Sequence, residues 1–345
     1  MEIKNGAELI QTAKALVAKQ KGILAADEST PTIKKRFDGI NVESTAETRN
    51  AYRELLFRTE GVEENISGVI LFEETLKASA KDGTPFPMLL KDKGVIPGIK
   101  CDKGLTLIPD TESEKATQGL DGLYERLTEY YSLGARFSKW RAVISIGHGI
   151  PSRRCIEINA HLLARYAKIS QCAGLVPIVE PEVLMDGAHT IEACEKVTFN
   201  TLNHVFFELY RQSVLLEGML LKPNMVISGL ECPEQADPDK VAELTIQCFK
   251  RVLPPALPGV VFLSGGQSSL AATQNLNAMN AMDRSLPWEL SYSYGRALQE
   301  DALKAWGGDA SHVPEAQKQL RHRARCNGLA RSGDYSAGVE NEINA

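Results

Sequence analysis

The sequence lacks the features that would assign it to several specialised classes of protein. No apolar run approaches the roughly 18 residues that a membrane-spanning helix needs, so we expect no membrane partner. The seven cysteines include no CxxC pair and the six histidines no HExxH motif, which predicts reduced thiols and no histidine-bound catalytic zinc. The N-terminus has neither a secretory nor a transit-peptide pattern, and we expect a cytoplasmic protein.

An excess of basic residues is absent as well. The 44 acidic and 39 basic side chains give a formal net charge of -5, which argues against nucleic acid as a partner. The short basic run at residues 318–325 is expected to be the solvated face of a helix. Any anion-binding site must therefore be local.

Eight short β-prone runs alternate with helix-prone segments, which predicts an α/β fold with a parallel sheet, specifically a (β/α)8 TIM barrel. A doubly wound sheet is the alternative, but AADEST follows the first run where a Gly-rich turn would be expected. We expect a single barrel domain over residues 1–330, including an N-terminal helix, and a flexible tail over residues 331–345. The predicted strands are 22–27, 66–72, 96–101, 135–145, 175–180, 219–222, 260–264 and 290–294.

Lysines and carboxylates end several of these runs, where a barrel carries its active site. Lys222 closes an apolar run, and burial near a second ammonium, Lys139, favours the neutral amine that attacks a carbonyl to form a Schiff base. Glu180 and Glu182 share a strand face unless Pro181 ends the strand. With Asp27 they are candidates for acid/base work. The alternatives are a lysine that reaches solvent and ion pairs that line the barrel mouth.

Two groups of residues suit phosphate. Ser264, Gly265 and Gly266 follow the seventh strand, and Arg296 follows the eighth, together with Ser293 and Gly295. A second anion could be held across the mouth by residues of the first βα loop and a lysine after the third strand, namely Ser29, Thr32, Arg36 and Lys103. Arg141, on the fourth strand, is a further substrate-binding candidate.

From about residue 6 to about residue 330 the sequence resembles the class I fructose-bisphosphate aldolases, with the family's motifs in order and at family spacing. The motifs are LAADEST (24–30), IKKRF (33–37), GIKCDKG (98–104), KWRAVI (139–144), PIVEPEVL (177–184), LLKPNMV (220–226), FLSGGQS (262–268), SYGRALQ (293–299) and LKAWGG (303–308).

The resemblance implies a barrel enzyme that cleaves fructose 1,6-bisphosphate reversibly to dihydroxyacetone phosphate and glyceraldehyde 3-phosphate through a lysine imine. No metal or other cofactor would be needed, and the assembly would be a homotetramer. Lys222 would form the imine, Glu180 would act as acid and base, Glu182 and Lys139 would assist, and Asp27 would take the C4 hydroxyl proton. The ketone-side phosphate would bind Ser264, Gly265, Ser293, Gly295 and Arg296, and the aldehyde-side phosphate would bind Ser29, Thr32, Arg36 and Lys103.

The chain departs from animal members of that family in two places. Pro31-Thr32 replaces Gly-Ser after DEST, which retains the hydroxyl. Animal members end in a tyrosine that helps to move the enamine proton, whereas this sequence ends in Asn344-Ala345, so water or another residue is expected to serve. The open alternatives are a Schiff-base lyase for another phosphosugar such as a sedoheptulose bisphosphate, a non-catalytic phosphosugar-binding scaffold and a metal-dependent aldolase.

Overall fold

Eight parallel strands close into a barrel in the computed structural model, which describes residues 2–3 and 5–344. Each strand pairs with its neighbours in chain order, and the last closes on the first through Ile23 opposite Ser293. The predicted (β/α)8 barrel is therefore confirmed. The barrel strands are β1 Gly22–Ala26, β2 Ile66–Leu71, β3 Ile96–Lys100, β6 Phe137–Ile144, β7 Val176–Val183, β8 Leu220–Leu221, β9 Gly259–Phe262 and β10 Glu289–Tyr294.

Helices connect the strands and surround the barrel. A continuous apolar core separates the two layers, because the outward side chains of the strands pack against the inner faces of the helices. The helices of the described residues are α1 Gly6–Leu16, α2 Thr30–Asp38, α3 Ala46–Arg58, α4 Glu73–Leu76, α5 Phe86–Asp92, α6 Leu123–Ser132, α7 Arg153–Cys172, α8 Ile191–Arg211, α9 Pro238–Val252, α10 Ser269–Met282, α11 Arg296–Trp306 and α12 Val313–Ser332. Short 3₁₀ turns lie at Val62–Glu64, Leu216–Gly218, Ala310–His312 and Ala337–Asn344.

The predicted strand bounds agree with the structure to within two residues, except that β7 continues three residues beyond its expected end. Pro181 does not terminate β7, for a reason visible in the backbone hydrogen bonds. Val179 O accepts from the Lys222 N–H, and the Val183 N–H donates to Asn224 Oδ1, so these alternate residues face β8. Pro181 faces the same side, beyond the end of β8. A backbone N–H at this position would have no partner on β8, so the N–H that proline lacks costs the sheet no hydrogen bond.

Helix α1 closes the amino-terminal end of the barrel and does not belong to the ring of helices around it. Its buried face, including Leu9 and Leu16, packs against inward side chains such as Phe137 and Ile178. These residues form an apolar core inside the barrel that is separate from the core around it. Apolar side chains thus fill the amino-terminal half of the barrel interior, and the polar side chains meet at the carboxyl ends of the strands.

A two-stranded antiparallel hairpin, β4 Leu105–Leu107 and β5 Lys115–Thr117, follows β3 and was not predicted. All three residues of β4 are exposed, and a run of three residues is too short for its apolar/polar alternation to identify a strand. The hairpin lies over β6, where the Thr117 hydroxyl donates to the Arg141 carbonyl.

The C-terminal segment after α12 packs against α12 in the structure. Tyr335 is 9% exposed, and its hydroxyl donates to Glu340 Oε1 at 2.7 Å. Glu340 also receives two hydrogen bonds from Arg323 of α12, at 2.7 and 2.8 Å. The run at 318–325 is therefore not a fully solvated face, because His322 and Arg323 are buried beneath this segment. Ala345 lies outside the described residues.

All seven cysteines are buried and free of disulfides. Within the described part of the chain, no helix has both the length and the apolarity required to span a bilayer.

Candidate active site

A cavity of about 850 Å³ opens at the carboxyl ends of the barrel strands. It is lined by every predicted site residue except Lys103. These residues are Asp27, Ser29, Thr32, Arg36, Lys139, Arg141, Glu180, Glu182, Lys222, Ser264, Gly265, Gly266, Ser293, Gly295 and Arg296. The convergence of so many ionisable groups in one concave site makes this cavity the candidate active site.

The strand period explains why these groups meet. Successive side chains on a strand point to opposite faces, so every second residue points into the barrel. On β7, Val176 and Ile178 fill the interior, and Glu180 and Glu182 follow them at the mouth. On β6, Phe137 lies inside the barrel and Lys139 follows it in the same way. Each of these two strands therefore changes from apolar to charged along one face.

Four buried side chains form a chain of alternating charge across the cavity. Lys139 Nζ lies 2.8 Å from Asp27 Oδ2 and 3.1 Å from Glu180 Oε2. Lys222 Nζ lies 3.3 Å from the other oxygen of Glu180, Oε1. Three of these side chains are 5% exposed and Asp27 is 12% exposed. Glu180 thus stands between the two ammonium groups, which do not face each other unshielded as the sequence argument assumed.

The neighbouring charges fix the protonation states of Asp27, Glu180 and Lys139. Burial alone would raise the pKa of Asp27, but Lys139 and Lys222 outweigh it and hold this pKa well below its ordinary value. The pKa of Glu180 is lowered by the same two ammonium groups against the opposing effect of burial. Burial would lower the pKa of Lys139, but the two carboxylates raise it instead. Lys139 is therefore a permanent ammonium, and its partners are carboxylates at neutral pH.

Glu182 differs from Glu180 although both lie on the same face of β7. Burial, together with the negative charge of Glu180, raises the pKa of Glu182, and the Arg141 guanidinium that donates to it opposes this shift. Arg141 is 41% exposed and lies at the rim of the cavity. The raised pKa makes Glu182 the better proton carrier of the two carboxyl groups, whereas the lowered pKa keeps Glu180 a carboxylate.

One anion-binding region lies after β9 and β10. Gly265 and Gly266 have φ values of +56° and +96°, which favour glycine, and the Arg296 side chain donates to the Gly266 carbonyl at 2.6 Å. Helix α11 begins at Arg296, so its first N–H groups point toward the cavity. The Ser293 hydroxyl is buried and has no hydrogen-bond partner among the described residues. Fixed donors and a positive charge are thus gathered where the sequence predicted a phosphate site.

The second region surrounds the start of α2. The hydroxyls of Ser29 and Thr32 lie 3.1 Å apart, and Pro31 occupies the first turn of the helix, where its missing N–H is tolerated. Arg36 extends from here toward the other region, since a Cβ added at Gly295 would lie 3.6 Å from Arg36 Nη2. Arg36 therefore lies between the two regions, which the sequence analysis treated as separate.

Lys103, a predicted site residue, lies outside the cavity. Its ammonium pairs with Glu73 Oε2 at 3.0 Å, and its side chain is 49% exposed outside the cavity. Lys100 lines the cavity instead, 3.6 Å from Asp102 Oδ1. The strand period carried the signal, because Gly98 and Lys100 share the inward face of β3, whereas Lys103 follows the strand in a loop.

Glu28 was missed by the sequence analysis. Its carboxylate is 4% exposed and binds Arg36 on one side and Arg53 on the other, the latter at 2.7 Å. Gln299 of α11 donates to Glu28 at 3.1 Å and to the Ala25 carbonyl of β1 at 2.7 Å. A buried carboxylate next to Asp27 in DEST is difficult to recognise in a sequence, because its partners come from three different helices.

A model of a known protein family matches nearly the whole chain. Residues 8–345 match the model described as "Fructose-bisphosphate aldolase class-I". A protein of Xanthomonas campestris pv. campestris, named "Probable fructose-bisphosphate aldolase class 1", is 54% identical over 329 residues, which cover 95% of this chain and 98% of that protein. "Fructose-bisphosphate aldolase 2" of Plasmodium berghei is 55% identical over 334 residues, covering 96% of this chain and 90% of that protein.

A solved structure gives the same result for the fold. The fructose-bisphosphate aldolase of Plasmodium falciparum, determined in complex with TRAP and a small-molecule inhibitor, superposes with a TM-score of 0.96. The two chains are 53% identical, and the match covers 98% of each. On this match, and on the family model over most of its length, the chain belongs to the class I fructose-bisphosphate aldolase family.

Proposed function

We propose that this chain cleaves fructose 1,6-bisphosphate reversibly to dihydroxyacetone phosphate and glyceraldehyde 3-phosphate, and that Lys222 carries the substrate as a Schiff base. The observation that carries the proposal is the buried chain of charges from Asp27 to Lys222, with an anion-binding region on either side. Family membership identifies the protein as a metal-independent carbon–carbon lyase. The residue roles below are our inference from the geometry and the resemblance.

Imine formation begins at Lys222. Glu180 Oε1, 3.3 Å from Lys222 Nζ, takes a proton from the ammonium, and the free amine attacks the C2 carbonyl of the open-chain sugar. The C–N bond forms as the carbonyl π bond opens, and one proton of the attacking nitrogen moves to the alkoxide to give the carbinolamine. The protonated carboxyl then gives its proton to the carbinolamine hydroxyl, which leaves as water, and an iminium remains. Glu182, whose pKa is raised, supplies a second proton-carrying group at the same step.

Carbon–carbon cleavage requires a base near C4. Asp27 is held as a carboxylate by Lys139, and it takes the C4 hydroxyl proton. The C3–C4 electron pair then moves toward the iminium nitrogen, which releases glyceraldehyde 3-phosphate and leaves an enamine on Lys222. Protonation of the enamine at C3 and hydrolysis of the imine release dihydroxyacetone phosphate and the free lysine. The fixed charge of Lys139 keeps Asp27 ionised before this proton transfer.

The two phosphates anchor the ends of the sugar. The loop after β9 and the start of α11 would hold the ketone-side phosphate through backbone N–H groups, Ser264, Ser293 and Arg296. Ser29, Thr32 and Lys100 would hold the aldehyde-side phosphate. Arg36, fixed by Glu28 between the two regions, can contact either end.

The first prediction concerns the imine itself. The protein is incubated with fructose 1,6-bisphosphate or dihydroxyacetone phosphate in EDTA, reduced with borohydride, and digested for peptide mass spectrometry. We expect a stable adduct on Lys222, none in Lys222→Met, and an unchanged adduct in Lys103→Met, since Lys103 lies outside the cavity. Glu180→Gln should slow turnover by about 10²- to 10⁴-fold. Activity that EDTA abolishes, with Lys222 unmodified, would overturn the mechanism.

The second prediction compares Lys100 with Lys103. Lys100→Met should raise KM for fructose 1,6-bisphosphate by at least about tenfold, because a hydrogen bond to a charged group contributes about 1.5–3 kcal/mol. Lys103→Met should change KM by less than about twofold, as expected for an exposed ion pair. With fructose 1-phosphate, which lacks the aldehyde-side phosphate, the effect of Lys100→Met should vanish. An equal loss with both substrates would place Lys100 elsewhere in the reaction.

The third prediction concerns acid stability. Asp27, Glu28 and Glu180 have lowered pKa values in the folded protein, so they contribute stability above their ordinary values of 3.8 and 4.5 that is lost as the pH falls below these values. Glu182 acts in the opposite direction, because its pKa is raised. Urea unfolding should show a free energy that decreases steeply from pH 5 toward pH 3. Glu28→Gln should be less stable at pH 7 and should lose less on acidification; an unchanged slope would contradict this account.

The fourth prediction concerns assembly. We propose a cytoplasmic homotetramer on the strength of the resemblance, and large aromatic side chains on α8 favour association, since Phe207 is 61% and Tyr210 is 82% exposed. Sedimentation equilibrium should give about four times the chain mass of 37.8 kDa. Replacing both aromatics with glutamate should reduce this mass. A wild-type monomer at micromolar concentration would refute the proposal.

A further inference from the structure

A cluster of three potential metal ligands lies where the C-terminal segment packs on α12. His322 and Cys326 are one turn apart on α12, and Glu340 comes from the 3₁₀ segment Ala337–Asn344. Cys326 Sγ is 3.6 Å from His322 Nε2, which is 4.0 Å from Glu340 Oε2. The three ligand atoms all lie within 4.8 Å of one another, and no other group of this kind occurs among the described residues.

These separations are close to those of a tetrahedral zinc site. Zinc bonds of about 2.3 Å to sulfur, 2.05 Å to nitrogen and 2.1 Å to oxygen place sulfur and nitrogen about 3.5 Å apart, and nitrogen and oxygen about 3.4 Å apart. The sulfur–nitrogen distance already matches, and the nitrogen–oxygen distance of 4.0 Å would shorten by about 0.6 Å on binding. We propose that Cys326, His322 and Glu340 bind one Zn²⁺ ion per chain, with water as the fourth ligand.

The donor set selects the class of metal. Thiolate and imidazole favour zinc and similar transition metals, whereas magnesium and calcium prefer sites made of oxygen alone. On binding, the Cys326 S–H bond breaks, its electron pair forms the sulfur–zinc bond, and the proton passes to the solvent. Thiolate and carboxylate together neutralise the two charges of the ion.

Arg323 and Tyr335 hold the carboxylate in place for this role. Arg323 donates two hydrogen bonds to Glu340, at 2.7 and 2.8 Å, and the Tyr335 hydroxyl donates a third at 2.7 Å. A carboxylate has about four acceptor positions, so one remains for the metal. Metal-bound carboxylates are commonly oriented by such outer hydrogen bonds. The charge of Arg323 is partly balanced by Asp301, whose carboxylate lies 4.0 Å away.

The site would fasten the C-terminal segment and take no part in the aldol reaction. Cys326 is fully buried in α12, and none of the three ligands lines the active-site cavity. An ion shared between α12 and Glu340 therefore links the end of the chain to the barrel. Aldol cleavage should proceed at the same rate with and without the metal, and the proposal stands independently of the proposed function.

The test uses Co²⁺ as a visible substitute for zinc. The full-length, reduced protein is titrated with Co²⁺, and the thiolate-to-cobalt absorption band in the near ultraviolet is recorded. We expect one ion per chain, displacement by Zn²⁺, and no band in Cys326→Ser. His322→Ala and Glu340→Gln should weaken cobalt binding by at least about tenfold, because even outer partners of a metal site contribute 10- to 100-fold. Cys172→Ser, which removes another buried thiol, should leave the band unchanged.

A second measurement guards against variants that fail to fold. In the wild-type protein, saturating Zn²⁺ should slow proteolytic removal of the C-terminal segment. In His322→Ala, which lacks one of the three ligands, Zn²⁺ should have no such effect. Circular dichroism checks that this variant is folded. The absence of a cobalt band in the wild-type protein, or its persistence in Cys326→Ser, would show that the cluster is an ordinary buried thiol–imidazole contact and would overturn the proposal.

Discussion

The rest of the site depends on the buried ammonium of Lys139. Removing an ion from water costs several kcal/mol even after the surrounding structure relaxes, so a buried carboxylate persists only with a partner of opposite charge. Lys139 partners both Asp27 and Glu180, and Glu180 in turn holds Lys222. One cation therefore keeps two carboxylates ionised on opposite sides of the cavity. Lys222, the nucleophile that we propose, joins this cluster through its contact with Glu180.

A geometric constraint joins this chemistry to the stability of the barrel. Strands such as β6 and β7 supply apolar side chains to the core inside the barrel and polar side chains to the cavity at its carboxyl end. Helix α1 closes the amino-terminal end. Because the same strands serve both purposes, the proposed catalytic groups lie on strands of the closed barrel or directly after them. Charges concentrated at one end are tolerated because the opposite end is well packed.

Support for the site extends outward through buried polar contacts. Glu28 ties Arg36 of α2 to Arg53 of α3, and Gln299 of α11 joins them to β1. The beginning and the end of the barrel are thus connected beside both anion-binding regions. The C-terminal cluster is organised differently, since it fastens the last segment to α12 and contributes nothing to the cavity. Catalytic geometry and anchoring of the chain end are therefore separate features of the molecule.

The sequence by itself determined the eight strands, their order and the position of Lys222, Glu180 and Asp27 at strand ends, because hydrophobic periodicity and local motifs are properties of neighbouring residues. Only the tertiary structure decided which charges meet. It placed Glu180 between the two lysines and gave Glu28 partners from three helices. It also brought Lys100, and not Lys103, to the cavity. It also packed the C-terminal segment onto α12. Contacts between residues far apart in the chain follow from how strands and helices pack, and no local pattern records them.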